Sequence, residues 1–295
     1  MMNLRSDLLS HGVLADGGAP GLYHRSGVFE KVVNGIENYF RALSPVSSDR
    51  WVMSPVTTAQ VLVDTDYVES FPQLMALLDG FEGDARAARA LAENAHAGGN
   101  WWEALESTGL ALRPAACHGL YPQLAGRNVP ESGLFFEISA TCFRREPSDD
   151  PARMQSFRMQ EFVIVGSPDE CRDFRDGWLR RGVEAHLQLG LEVSSEAAND
   201  PFFGRASQMM SQGQLAKELK YEIVATIAHE TPNAISSANY HEDHFGASFN
   251  ITAGSGVAHS ACFAVGLERT ALALFRRHGA NLTEWPAEVV ERLGI

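Results

Sequence analysis

What most limits the folds open to this chain is the order of its apolar segments. Strand-like runs come in clusters with helices set between them, and nowhere in the regular strand–helix alternation that builds a parallel sheet. Within 27–43, Val28, Phe29, Val32, Val33, Ile36, Tyr39, Phe40 and Leu43 recur at helical spacing. Trp51, Val52 and Met53 then read as a short strand that stops at Pro55. Further strands are expected at 134–143, 159–165, 234–239, 247–251 and 257–263, and helices at 168–187 and 266–278, while 214–228 fits either state. Residues 71–113 read as mostly helical, with 85–97 a strong helix former, and carry no recognisable chemistry. The expected class is α+β: a mostly antiparallel sheet flanked by helices, with a helical insertion at 71–113. One domain over 1–295 is expected, because no repeat or low-complexity linker divides the chain.

Composition narrows the function classes. The 295 residues include 24 Lys+Arg against 37 Asp+Glu, a net charge of -13, which disfavours a protein that must hold a polyphosphate backbone. Lys31, Lys217 and Lys220 are the only lysines, and no GxxxxGK[ST] string occurs, so a P-loop is excluded and arginine must clamp any nucleoside triphosphate. The start lacks the basic flank and apolar run of a signal peptide, and no run of about 18 apolar residues follows, so a cytoplasmic protein without membrane contact is expected. Cys117, Cys142, Cys171 and Cys262 lie far apart without a CxxC, which points to free thiols or a metal site assembled by the fold.

Three strings carry the candidate chemistry: Phe143-Arg144-Arg145-Glu146 at a strand end, the run from Arg153 through Phe157 to Glu161 entering the next strand, and Gly266-Leu267-Glu268-Arg269 opening a helix. None is distinctive alone, because exposed arginine–carboxylate pairs are common and contribute little. In this order, and after the helix and proline-ended strand of 27–55, they resemble the three motifs of the class II aminoacyl-tRNA synthetases. Asn199-Asp200, Lys220-Tyr221-Glu222 and residues 235–239 are similar to short strings of the seryl-type members. The resemblance implies an ATP site in which Arg144 grips the α-phosphate and Arg269 the γ-phosphate, both acting where charge develops. It further implies that Phe157 stacks on the adenine, Glu146 hydrogen-bonds the exocyclic amine and Arg153 reaches the outer phosphates.

Cys117, Glu161 and Cys262 are similar in placement to the Cys/Glu/Cys zinc set of the archaeal atypical seryl-tRNA synthetases and of carrier-protein ligases related to them. In those enzymes the zinc holds the α-amino group of the amino acid, and three protein ligands leave the fourth tetrahedral position free for it. Cys117 is expected on the strand before the second motif; Cys142 and Cys171 are expected to be structural. A rival metal reading rests on His241 and His244, with His229 and Glu230 upstream. Glu230 and Asp243 are candidates for a magnesium shell, and Ala234 stands where a metal-binding glutamate would align.

The motifs span residues 27–278, which leaves no evident tRNA-binding module, and in this the chain resembles the bacterial amino acid:[carrier protein] ligases. That resemblance implies activation of a small amino acid, glycine or alanine, as an aminoacyl-adenylate. Transfer to the phosphopantetheine thiol of a carrier protein follows, with no aminoacyl-enzyme, no tRNA and a homodimeric enzyme. The carrier is expected to be acidic and to meet Arg172, Arg175, Arg180 and Arg181 on one helix. Two rival expectations are a seryl-type paralogue that charges tRNA and a non-catalytic regulatory binder.

Overall fold

The computed structural model describes residues 4–203 and 207–295. Gly204 and Arg205, in the run from Asn199 that resembles the carrier-protein ligases, lie outside the described residues. The centre is a seven-stranded sheet built from β1 (Asp49–Met53), β2 (Leu134–Phe143), β3 (Ser156–Gly166), β4 (Val193–Ala197), β5 (Lys220–Ala225), β6 (Asn233–Tyr240) and β7 (His259–Gly266), in the spatial order β4-β5-β6-β7-β3-β2-β1. Every neighbouring pair is antiparallel except β1, which joins the edge parallel to β2. This is the α+β architecture expected from the clustering of strands.

One face of the sheet is covered by helices α1 (Gly27–Ala42), α2 (Pro168–Gln188) and α3 (Leu267–His278). Helix α1 is started by Ser26, whose hydroxyl accepts from the Phe29 amide, and it buries Phe29, Val32, Val33, Ile36 and Phe40. Pleat alternation sends Phe162 of β3 and Phe263 of β7 into this layer, where both rings stack on Trp178 of α2 at 4.1 and 5.1 Å. A Cβ at Gly182 would stand 2.4 Å from the Phe263 ring, so only glycine lets α2 lie this close to the sheet. Truncating one such ring to alanine would cost about 3–5 kcal/mol.

The same alternation turns Val163 and Cys262 to the opposite face, which packs against a layer containing Tyr121, Phe245 and Phe249. The register aligns two rows on that face: Lys220, Asn239, Cys262 and Val163 in one, and Glu222, Ser237, Ala264 and Glu161 in the next. These rows form the floor of the site.

Three local expectations are corrected. Residues 71–113 hold the expected helix at Ala85–His96, but Leu77–Gly80 and Glu106–Leu112 are strands, forming with Val56–Thr58 a separate three-stranded antiparallel sheet. The helix has no buried residue, so its alanine-rich composition expresses intrinsic propensity rather than packing. Residues 247–251 are not a strand. His244–Ser248 form a short helix in which Gly246 lies against the Ala258 carbonyl, where a Cβ would clash at 1.9 Å, and Asn250 then turns the chain at φ 51. Cys117 lies on a short 3-10 turn, Cys117–Gly119, rather than on a strand.

Candidate active site

A cavity of about 650 Å³ opens on the floor rows, a size that suits a cofactor-sized ligand. Arg144, Glu146, Phe157, Glu161, Arg269, Cys117 and Cys262 all line it. Arg153 does not; its side chain is 51% exposed at the rim, 4.0 Å from Glu146.

At one end stand the arginines. Arg144 follows the end of β2, and its guanidinium lies over the Phe157 ring at 5.5 Å while Nε donates to the Pro114 carbonyl at 3.2 Å. Arg269, in the first turn of α3, donates from Nε to the Ala152 carbonyl at 2.7 Å and from Nη1 to the Ala234 carbonyl at 3.0 Å. Burial, then the proximity of Arg144, lowers its pKa. Two like charges are thus held in one cavity by neutral carbonyls, an arrangement that favours an anion between them.

A second ion-pair network aligns these segments. Arg158 on β3 donates from its backbone N–H and Nε to Glu268 at 2.6 and 2.8 Å, and from Nη1 to Glu30 of α1 at 2.6 Å. Glu268, on α3, is 2% exposed and also meets Arg25 at 3.2 Å. One arginine therefore joins the helix of the first motif, the strand of the second and the helix of the third.

The other end is thiol and carboxylate. Cys117, Glu161 and Cys262 come from a turn, β3 and β7, and all three are buried. Glu161 accepts from the Ala116 amide at 3.0 Å through one carboxylate oxygen, while the other is buried with no partner. Burial, reinforced by Cys262, raises its pKa to about 7. Interaction between the Cys117 and Cys262 sulfurs raises Cys117 and lowers Cys262; His241 and Asn239 lower Cys262 further.

Among the described residues no group of three or more His, Cys, Asp or Glu side chains stands in ready metal-ligating geometry. The chemistry of Cys117, Glu161 and Cys262 nonetheless suits a borderline-soft divalent cation: two sulfurs, and a carboxylate with a partnerless oxygen that is costly to bury unmatched. The rival donors separate. His241 and His244 both line the cavity, but His241 lies beside Cys262 at 3.5 Å while His244 meets Asp66 at 3.9 Å; His229 does not line it and meets Asp150 at 3.8 Å. Glu230 and Asp243 are exposed and do not line the cavity.

The cavity also takes residues to which the sequence reading assigned no role. Lys220 donates to Asp200 at 2.5 Å and meets Glu222 at 2.8 Å, and all three line the cavity. Burial opposes the charge on Asp200, and Lys220 outweighs it, so the carboxyl pKa is lowered. Tyr67 also lines the cavity, as do Phe71 and Leu74 from the start of 71–113, a segment in which the sequence shows no recognisable chemistry. Asn239 and His118 are further lining residues, and a polar residue at every second position of 237–241 was the available signal for the former.

The expected carrier-facing arginines do not form one free patch. Arg175 is 9% exposed, donates to the Glu218 carbonyl at 2.6 Å and lies over the Tyr221 ring, so it is a packing residue of α2. Arg172 is tied to Asp169 and Tyr240, and Arg181 covers Trp178, leaving Arg180 the most available. No described helix is long and apolar enough to cross a membrane.

No family model matches the chain. It is 38% identical over 293 residues to amino acid–[acyl-carrier-protein] ligase 1 of Bradyrhizobium diazoefficiens, covering 98% of this chain and 89% of that protein. It is 39% identical over 292 residues to ligase 2 of the same organism, covering 98% and 87%. Among solved structures, SerRS of M. kandleri superposes with a TM-score of 0.83 at 18% identity, over 99% of this chain and 60% of that one, which establishes the class II synthetase-like fold. With such identity over nearly its whole length, the chain belongs to the amino acid–[acyl-carrier-protein] ligases and is a ligase on that fold.

Proposed function

We propose that the protein activates a small amino acid, glycine or alanine, as its adenylate and passes the acyl group to the phosphopantetheine thiol of a carrier protein. The observation that carries this reading is the convergence in one cavity of two arginines and an aromatic ring with two thiols and a buried carboxylate. ATP is the co-substrate: Arg144 grips the α-phosphate, Arg269 the γ-phosphate, Phe157 stacks on the adenine and Glu146 takes its amine, while Arg153 reaches inward from the rim. Zinc would be held by Cys117, Glu161 and Cys262, and when bound it supplies a Lewis acid for the substrate amino group. Magnesium would enter with ATP, and cavity-lining carboxylates such as Glu222 could hold it.

The substrate carboxylate attacks the α-phosphorus, the bond to the β-phosphate oxygen breaks, and pyrophosphate leaves. Arg144 and Arg269 stabilise the charge that develops, and the enclosed cavity limits water. The carrier thiol then attacks the acyl carbon, its proton passes to solvent, and AMP departs. No enzyme side chain bonds to the acyl group. A cytoplasmic homodimer belongs to the same reading, supported by the edge strand β1, which leaves Val52 75% exposed. Discrimination between glycine and alanine rests on one methyl group, about 1–3 kcal/mol.

The test is ATP–pyrophosphate exchange across the twenty amino acids, followed by transfer to a phosphopantetheinylated carrier. Exchange with glycine or alanine and a labelled carrier thioester are expected. Exchange with neither, or acylation of total tRNA in place of the carrier, overturns the reading.

A further inference from the structure

Two strands place an unusual set of side chains on the cavity floor. Asn239 of β6 is the register partner of Cys262 of β7, and two residues on, His241 donates its backbone N–H to the Ser260 carbonyl at 2.9 Å. Period-two alternation therefore sets Asn239 and His241 against Cys262 and Ser260 on one face. The diagonal from His241 to Cys262 is within reach of an imidazole.

The side chains use that geometry. His241 Nε2 lies 3.5 Å from Cys262 Sγ, and Asn239 Nδ2 donates to the same sulfur at 3.3 Å. The other imidazole nitrogen, Nδ1, meets the Ser260 hydroxyl at 2.9 Å and the Tyr121 hydroxyl at 3.4 Å. With Nδ1 accepting from Ser260, the ring proton sits on Nε2 and points at the sulfur. The ring is also held edge-on by Phe245 at 5.1 Å and by Tyr121 at 6.5 Å. Imidazole orientation is thus fixed from both sides.

We infer that His241, oriented by Ser260, is a positioning residue that fixes the Cys262 sulfur and draws charge from it, making it an electron-poor metal ligand. This rests on the proposed metal site of Cys117, Glu161 and Cys262. An N–H donor on a thiolate reduces the charge it gives to the metal, so the metal stays a stronger acid toward an incoming amine. His241 is not itself a ligand: its acceptor nitrogen is taken by Ser260 and its N–H faces the sulfur.

The test uses the full chain with His241→Phe, His241→Gln and Ser260→Ala. Wild type and variants are analysed for zinc content, titrated for zinc affinity against a competing chelator, and examined as cobalt(II) forms by absorption. His241→Phe is expected to weaken zinc roughly 10- to 100-fold and to move the sulfur-to-cobalt charge-transfer band to lower energy, with the d–d bands unchanged. His241→Gln, whose amide can donate from nearly the same position, is expected to recover most of both. Ser260→Ala, a milder change should the phenylalanine variant fold poorly, is expected to shift both in the same direction by less. Stoichiometric zinc in the wild type with unchanged affinity and band in the folded variants overturns the inference and leaves the metal site standing. Changed d–d bands, the mark of a lost ligand, overturn it in favour of direct coordination. A wild type that binds no zinc overturns the metal site and the inference with it.

Discussion

The two ends of the cavity are built on opposite principles. The arginine end is half-open: Arg144 and Arg269 are held by backbone carbonyls, and Phe157 lies between strand and cavity, so each group keeps a face toward a ligand. The sulfur end is closed. Cys117, Glu161 and Cys262 are buried, contact one another, and depend on Asn239 and His241 for hydrogen bonds. Charged guanidinium groups need only a local carbonyl and a strand end to be aimed, whereas buried thiols and a carboxylate need partners from several elements to offset desolvation. The first end suits a large anion that arrives and leaves, the second a small cation that stays.

That contrast can be broken most sharply by removing a sulfur. Cys262→Ala is expected to abolish stoichiometric zinc and lower amino-acid-dependent pyrophosphate exchange by roughly 10³-fold or more, because an orienting metal contributes several kcal/mol. Metal analysis and exchange on the same sample check it, and retained metal with full exchange would mean that the sulfur end serves no substrate. Arg144→Ala should lower kcat for exchange by roughly 10²–10³-fold with zinc content untouched. Loss of zinc in that variant would show that the two ends are not independent.

Smaller effects test the frame between the ends. Glu268→Ala leaves Arg158 partly unpaired among α1, β3 and α3, which should cost about 3 kcal/mol in urea unfolding, the low end for a buried pair because Arg158 keeps Glu30. An unchanged midpoint would remove the network as the reason the motif segments stay aligned. Beneath the floor, buried His186 receives the Ser236 hydroxyl on Nε2 and gives Nδ1–H to the Gly182 carbonyl, and burial lowers its pKa to about 4. The unfolded chain takes up this proton near pH 6.5 and the folded one only near pH 4, so its stabilisation is complete above pH 6.5 and falls with pH below that. Wild type should lose about 2 kcal/mol from this group between pH 7 and pH 5, and His186→Gln should remove that share of the slope. Least of all, Arg180→Glu should raise KM for the carrier roughly two- to five-fold with exchange unchanged, since an exposed charge acts mainly on encounter. An equal change in exchange would place Arg180 in the structure of α2 instead.

The arginine end was legible because its parts are contiguous: a strand end, a strand entry and a helix start each carry their residues within a few positions, and hydrophobic periodicity located those elements to within a few residues. Cys117, Glu161 and Cys262 were legible through family likeness, since they lie 44 and 101 positions apart with no local pattern. Arg175 misled because its sequence neighbours are those of a solvated helix face, while in space Glu218 and Tyr221 enclose it. Tyr67, Phe71 and Leu74 recur at helical spacing, and that pattern marks a buried face without saying that a cavity lies against it.

The sequence by itself determined the central strands of the sheet, its flanking helices and the arginine-bearing strings, since apolar spacing acts along the chain without reference to distant residues; the strands Val193–Ala197 and Lys220–Ala225 toward one edge it left open. Only the tertiary structure decided that Asn239 and His241 stand against Cys262, that Glu161 keeps an unmatched oxygen beside two thiols, and that Lys220 pairs with Asp200 in the cavity wall. Those are relations between strands. Strand register and the exclusion of water set them, and both exist only once the sheet is closed.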